Sequence, residues 1–200
     1  LCQMVKLISE GKPLKMSKRS GDFVTLSEMV DRVGSDSIRF MMLYRKNEAP
    51  LEFDFQKVTE QSKDNPVFYV QYAHARISSV LRKLDEHKLN FNLSDFKECK
   101  FNLLNSDHEL DLIKKILDWN SVIITSVNLY EPHRIAYYLY ELASSFHSLW
   151  NQGKIDKNLK FINEEDLDVT YARLSLIIAT QKTIKSGLDL LGVSAPNEMQ

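Results

Sequence analysis

From Asn65 onward the apolar positions recur every three or four residues, as they do in helices that each bury one face. Asn65 is a cap residue and Pro66 suits a first helical turn. The stripe Val67, Val70, Ala73, Ile77, Val80, Leu81 and Leu84 then predicts a first long helix. Residues 88–106 lack this period and predict a long loop. A second long helix is expected to carry Leu110, Ile113, Ile116, Leu117 and Ile124. A third starts at Glu131-Pro132 and presents Ile135, Leu139, Leu142, Phe146 and Leu149. The fourth opens at Asn163–Asp166, carries Leu174, Ile177, Ile178, Ile184, Leu188 and Leu191, and stops at Gly192. Stripes of this kind need one another for burial, so residues 65–200 predict one antiparallel helical bundle.

The beginning of the chain is patterned differently. Leu1–Ile8 is largely apolar and predicts a buried strand; Glu10–Pro13 predicts a turn, and Leu14–Asp22 a polar loop. Thr25 or Ser27 can cap a short helix reaching about Val33, with Glu28 in its electropositive first turn. Gly34 ends it, and Ser35 and Asp36 begin another whose apolar side holds Ile38, Met41 and Met42. Leu51–Phe55 alternates and predicts a short edge strand. A strand at the start needs neighbours that the rest of the chain scarcely supplies, and Leu1 is not an initiator Met. A preceding portion is therefore expected. The predicted organisation is mainly α: a small α/β remnant over 1–33, a connecting region over 34–64 and a helical domain over 65–200.

Composition narrows the class. Apolar residues at 44% and charged residues at 26% describe a soluble globular chain. No apolar run approaches the length of a membrane span, and no signal peptide is visible, so a cytoplasmic protein is expected. Cys2 and Cys99 do not make a disulfide framework. The histidines show no HxxxH pair and no cysteine partner at ligand spacing, so no metal site is expected. A net charge of −1 supplies no overall pull on a polyanion. Residues 1–45 hold eight Lys/Arg against five Asp/Glu, and residues 46–200 hold eighteen against twenty-two. A nucleic acid would have to be held through local patches.

The sharpest candidate chemistry is Lys15-Met16-Ser17-Lys18-Arg19. Two lysines three apart on a loop can place two ammonium groups around a triphosphate. When a carboxylate attacks the α-phosphorus of ATP, charge grows on the departing pyrophosphate, and fixed cations there stabilise the transition state more than the ground state. Gly11 and Gly21 are candidate hinges for closure over ATP. The bland alternative is a solvated basic loop.

Context favours the sharper reading. Lys15–Arg19 resembles the KMSKS signature of class I aminoacyl-tRNA synthetases, with Arg19 in the last position. Asp36-Ser37-Ile38-Arg39 resembles the DALR signature of the anticodon-binding domain that several of these enzymes share, with Ser37 replacing Ala. Phe40–Lys46, Asn65–Arg76, Pro132–Arg134 with Tyr138-Leu139, and Leu191–Val193 with Ala195-Pro196 are similar to bacterial arginyl-tRNA synthetases in particular. The resemblance spans nearly the whole chain. It implies ATP with Mg2+, arginine and tRNA(Arg) as substrates of the parent protein, and a monomer. Lys15 and Lys18 are the implied catalytic lysines, and Lys15, Met16, Ser17, Lys18 and Arg19 the implied ATP contacts. No tetrad like the family's HIGH motif occurs in the chain, so this piece alone is expected to be inactive. The competing readings are another class I synthetase, such as the cysteinyl or methionyl enzyme, and a non-catalytic helical interaction module.

Four residues are candidates for RNA contact. Tyr72 and Arg76 lie four apart on the first bundle helix and share a face with Tyr69, an arrangement that suits stacking on a splayed base and holding its phosphate. Core packing is the alternative, above all for Tyr69. Tyr137, Tyr138, Tyr140, Phe146 and Trp150 crowd the third helix, where most must be core; Tyr140 is the candidate pocket residue. Met199 would ordinarily be a frayed end, but the resemblance implies a tail folded back toward the anticodon pocket. His74 is expected to be a hydrogen-bonded structural residue.

Overall fold

The structure is a computed structural model that describes residues 4–14, 23–84, 96 and 98–199. The lysine loop Lys15–Arg19 lies outside the described residues.

Strand β1 (Val5–Ser9) starts later than the apolar run that predicted it, and Met4 is 74% exposed. It turns through Glu10 and Gly11, both with positive φ, into the short antiparallel β2 (Lys12–Pro13). On its other side β1 pairs in parallel with β3 (Leu51–Asp54), Val5 opposite Leu51, so β3 is the expected edge strand. Between these strands lie two helices. Helix α1 (Leu26–Val33) is opened by Thr25, whose hydroxyl accepts from the Glu28 amide while the Glu28 carboxylate accepts from the Thr25 amide. Helix α2 (Ser35–Tyr44) follows Gly34 directly. Leu7, Met29, Ile38, Leu51, Phe53, Phe55 and Val58 form a small core. Two residues beyond Ile38, Phe40 of the same helix is fully buried in the larger second core. Helix α2 therefore belongs to both cores.

The larger core is a bundle built on α3 (Pro66–Arg82), α4 (Asp107–Leu117), α5 (Trp119–Leu129), α6 (His133–Ile155) and α7 (Leu167–Leu191). The Asn65 side chain caps α3 by accepting from the Phe68 amide, as its sequence predicts. Helix α6 is central and packs against α2, α3, α4, α5 and α7. Its predicted stripe of Ile135, Leu139, Leu142, Phe146 and Leu149 is buried throughout. Gly187 of α7 admits Leu139, since a Cβ there would lie 2.5 Å from a Leu139 methyl. The contacts Lys115 to Glu141 and His108 to Ser148 make α4 and α6 antiparallel; Gln71 to Ser194 and Ser78 to Gln181 do the same for α3 and α7.

The single second helix of the sequence reading is two helices. The Tyr138 hydroxyl of α6 donates at 2.7 Å to the Lys115 carbonyl, which an unbroken helix would offer to the Trp119 amide. The Trp119 ring stacks on Tyr138 at 5.2 Å, and the chain restarts there as α5. The predicted stripe is partly wrong as a result. Leu112, which it omitted, is fully buried, whereas Leu117 is 75% and Ile124 60% exposed. A second unanticipated feature is the buried Arg173–Glu109 pair at 2.7 Å. Burial pushes the Glu109 carboxyl up, but its bonds from Arg173 and Ser106 outweigh this and hold it below its ordinary value. Within residues 65–199, no strand occurs among the described residues.

Candidate nucleic-acid interface

The first turns of α3 organise the candidate interface. Phe68, Tyr72 and Arg76 recur every four residues and therefore stand one above another. The Phe68 and Tyr72 rings stack with centroids 5.4 Å apart. The Arg76 guanidinium lies 4.1 Å from the Tyr72 ring centroid, and its Nη2 donates at 3.0 Å to the Tyr72 hydroxyl. All three side chains are half-buried, so each keeps an open surface.

Helix α6 supports this ladder. Arg76 Nη1 donates at 3.1 Å to His147 Nδ1, and the guanidinium also lies 5.1 Å from the Trp150 ring. Because His147 Nδ1 accepts, the ring is neutral, and its Nε2–H donates to the Tyr69 carbonyl at 3.2 Å. Burial is the main reason that the His147 pKa is pushed down to about 4, and the adjacent Arg76 charge adds to it against the opposing Tyr69 carbonyl. Tyr69 sits between His147, at 4.5 Å, and Tyr140, at 5.2 Å. The Tyr140 hydroxyl donates at 3.3 Å to the Lys63 carbonyl.

The predicted residues thus fall on two sides of the start of α3. Tyr72 and Arg76 touch directly, and Tyr140 joins them through Tyr69 and His147. Tyr140 also lines a cavity of about 360 Å³ with Tyr44, Arg45, Lys63 and Tyr137. Met199 lines a different cavity of about 340 Å³, with Arg32, Ser37, Asn65, Phe68 and Gln71. Phe68 is the link, because it borders the Met199 cavity and stacks on Tyr72. Phe68 was legible as the residue one turn before Tyr72. His147 and Trp150 were not, because nothing local in the sequence states that α6 runs beside α3 in the same direction.

The C-terminal tail is strapped along α3. Gln71 Nε2 donates to the Ser194 carbonyl at 3.0 Å, and His74 Nδ1 meets the Pro196 carbonyl at 2.9 Å. Ser78 Oγ donates to Asn197 Oδ1 at 3.2 Å, and Arg82 Nη1 to the Asn197 carbonyl at 3.1 Å. Met199 is held at the interface by these bonds. His74 is 3% exposed, and burial lowers its pKa, which fits its expected structural role.

This surface can stack bases and offer a few polar edges. Arg82 is paired with Glu198, whereas Arg76 is held by the neutral Tyr72 hydroxyl and His147 ring and keeps its charge. Among the described residues, no cluster of three or more His, Cys, Asp or Glu is arranged to hold a metal ion. No helix among them is long and apolar enough to cross a membrane.

Comparison with known proteins gives the surface a context. Over its whole length the chain is 52% identical to the arginine–tRNA ligase of Rhizobium rhizogenes, spanning 34% of that protein, and 54% identical to that of Beijerinckia indica, again 34%. It therefore spans about a third of the length of these curated relatives. A solved structure of a Campylobacter jejuni protein named as an arginyl-tRNA synthetase superposes with a TM-score of 0.81 at 31% identity, covering all of this chain and 40% of that one. The Thermus thermophilus arginyl-tRNA synthetase has the same fold, with a TM-score of 0.66 at 24% identity, covering all of this chain and 35% of that one. Residues 70–199, which include Tyr72, Arg76, Tyr140 and Met199, match the DALR anticodon binding domain, and the chain belongs to that family.

Proposed function

We propose that this chain is the RNA-reading part of an arginine–tRNA ligase, and that the start of α3 reads the anticodon of tRNA(Arg). The observation that carries the proposal is the half-exposed ladder Phe68–Tyr72–Arg76, fixed from behind by His147 and bordered by Met199. Splayed bases stack on aromatic and guanidinium planes, and the stack tolerates a protein of net charge −1 because it needs few phosphate contacts. Arg76 is committed to His147 and Tyr72 in the free protein, so it is pre-organised and not a floating cation.

In the whole ligase the substrates are arginine, tRNA(Arg) and ATP with Mg2+. Lys15 and Lys18 stabilise the charge that grows on the departing pyrophosphate, and Met16, Ser17 and Arg19 complete the ATP-binding loop. The residues that hold arginine and the other side of ATP lie in the rest of the ligase, so this segment alone carries no ATP–pyrophosphate exchange.

The test separates stacking from packing. Tyr72→Ala is made in the whole ligase, and the tRNA KM of aminoacylation and the melting temperature are measured on the same protein. Loss of a stacked base costs about 1–3 kcal/mol and raises the KM accordingly while melting stays nearly unchanged. A lowered melting temperature with an unchanged KM would leave Tyr72 as packing and remove the reading.

A further inference from the structure

Two polar side chains of α2, outside the stacked ladder, converge on the turn where the last helix becomes the tail. Asp36 Oδ2 accepts from three donors: the Ser194 amide at 3.2 Å, the Ser194 hydroxyl, and Gln71 Nε2 at 3.0 Å. Gln71 in turn donates to the Ser194 carbonyl, so Asp36, Gln71 and Ser194 close a ring of bonds. One helical turn on, Arg39 Nε donates at 2.5 Å to the Leu191 carbonyl, one of the last carbonyls of α7, where a cation also meets the helix dipole favourably. Between these two anchors stands Gly192 at φ +66, where a Cβ would lie 2.4 Å from Arg39 Nε. Only glycine fits both the left-handed backbone and the space that Arg39 fills.

We infer that Asp36 and Arg39 are positioning residues for RNA reading, which clamp residues 191–194 so that the tail carries Met199 to Phe68. They do this from a helix whose Ile38 belongs to the small sheet core and whose Phe40 belongs to the bundle, so the clamp ties the tail to both. Asp36 and Arg39 are the polar ends of the Asp36–Arg39 signature, and their bonds go to protein. Their effect on RNA runs through the tail. The inference rests on the proposed function.

The test is epistasis in the whole ligase, comparing Asp36→Ala, a truncation removing residues 194–200, and the two together, with Tyr72→Ala as a control. Ala at position 36 removes the oxygen that accepts all three bonds and so releases Ser194 and Gln71. The tRNA KM is expected to rise about five- to tenfold in Asp36→Ala and to a similar extent in the truncation. The kcat at saturating tRNA and the KM for ATP and arginine stay within about twofold. The combined protein is no worse than the truncation alone. Multiplying effects would show that Asp36 acts without the tail and would overturn the clamp, as would a tRNA KM unchanged in either single variant. A fall in kcat that matches the change in KM would also overturn it, as general loss of structure. If Tyr72→Ala also leaves the tRNA KM unchanged, the RNA reading of the surface falls with it.

Discussion

At the scale of single residues the account turns on His147. Its Nδ1 accepts from Arg76 and its Nε2 donates to Tyr69, which only a neutral ring can do. The folded pKa of about 4 is below the ordinary 6.5, so protonation favours the unfolded chain. The stability from this residue is complete above pH 6.5 and is lost as pH falls through 4. Thermal unfolding followed from pH 7 to pH 4 should therefore show a steeper loss in the native protein than in His147→Gln, by about 3 kcal/mol across the interval. Parallel profiles would place the imidazole in a solvated setting and weaken the ladder that depends on it. A sequence shows a histidine two turns from a tyrosine; it does not show that an arginine from another helix supplies the proton.

At the scale of elements, α3, α6 and α7 were legible because each keeps one apolar stripe in helical register from cap to stop. Asn65, Asp166 and Gly192 stand at their ends as capping chemistry requires. The break between α4 and α5 was not legible, because its cause is the Tyr138 hydroxyl arriving from α6. The tail reads from its own residues as a frayed end, and only the family resemblance implies a fold-back, since its bonds to Gln71, His74, Ser78 and Arg82 depend on how α3 lies against α7. The approach of α6 and α7 gives a test of this packing. Gly187→Ala drives a methyl against fully buried Leu139, which has no room to retreat. It should destabilise the protein by about 1–3 kcal/mol in thermal unfolding, without changing the ratio of kcat between substrates. A neutral Gly187→Ala would mean that the two helices stand farther apart than described.

At the scale of the molecule the chain joins a small sheet core and a helical bundle through α2. In the sequence the lysine loop lies between β2 and α1, and the stacking ladder stands on the bundle. On the proposed reading, function divides along the chain, with ATP chemistry in the first part and RNA reading in the second. Specificity is where this division is most exposed. An anticodon reader lowers the barrier for the cognate tRNA and not for an altered one, so its loss shows as lost discrimination. The most direct measurement compares kcat/KM for tRNA(Arg) and for the same tRNA with one anticodon base replaced, in the whole ligase and in Arg76→Ala. The account predicts that Arg76→Ala reduces the ratio of the two values by about tenfold or more. Equal losses for both tRNAs, with the ratio preserved, would contradict it and make the ladder a support of the bundle alone.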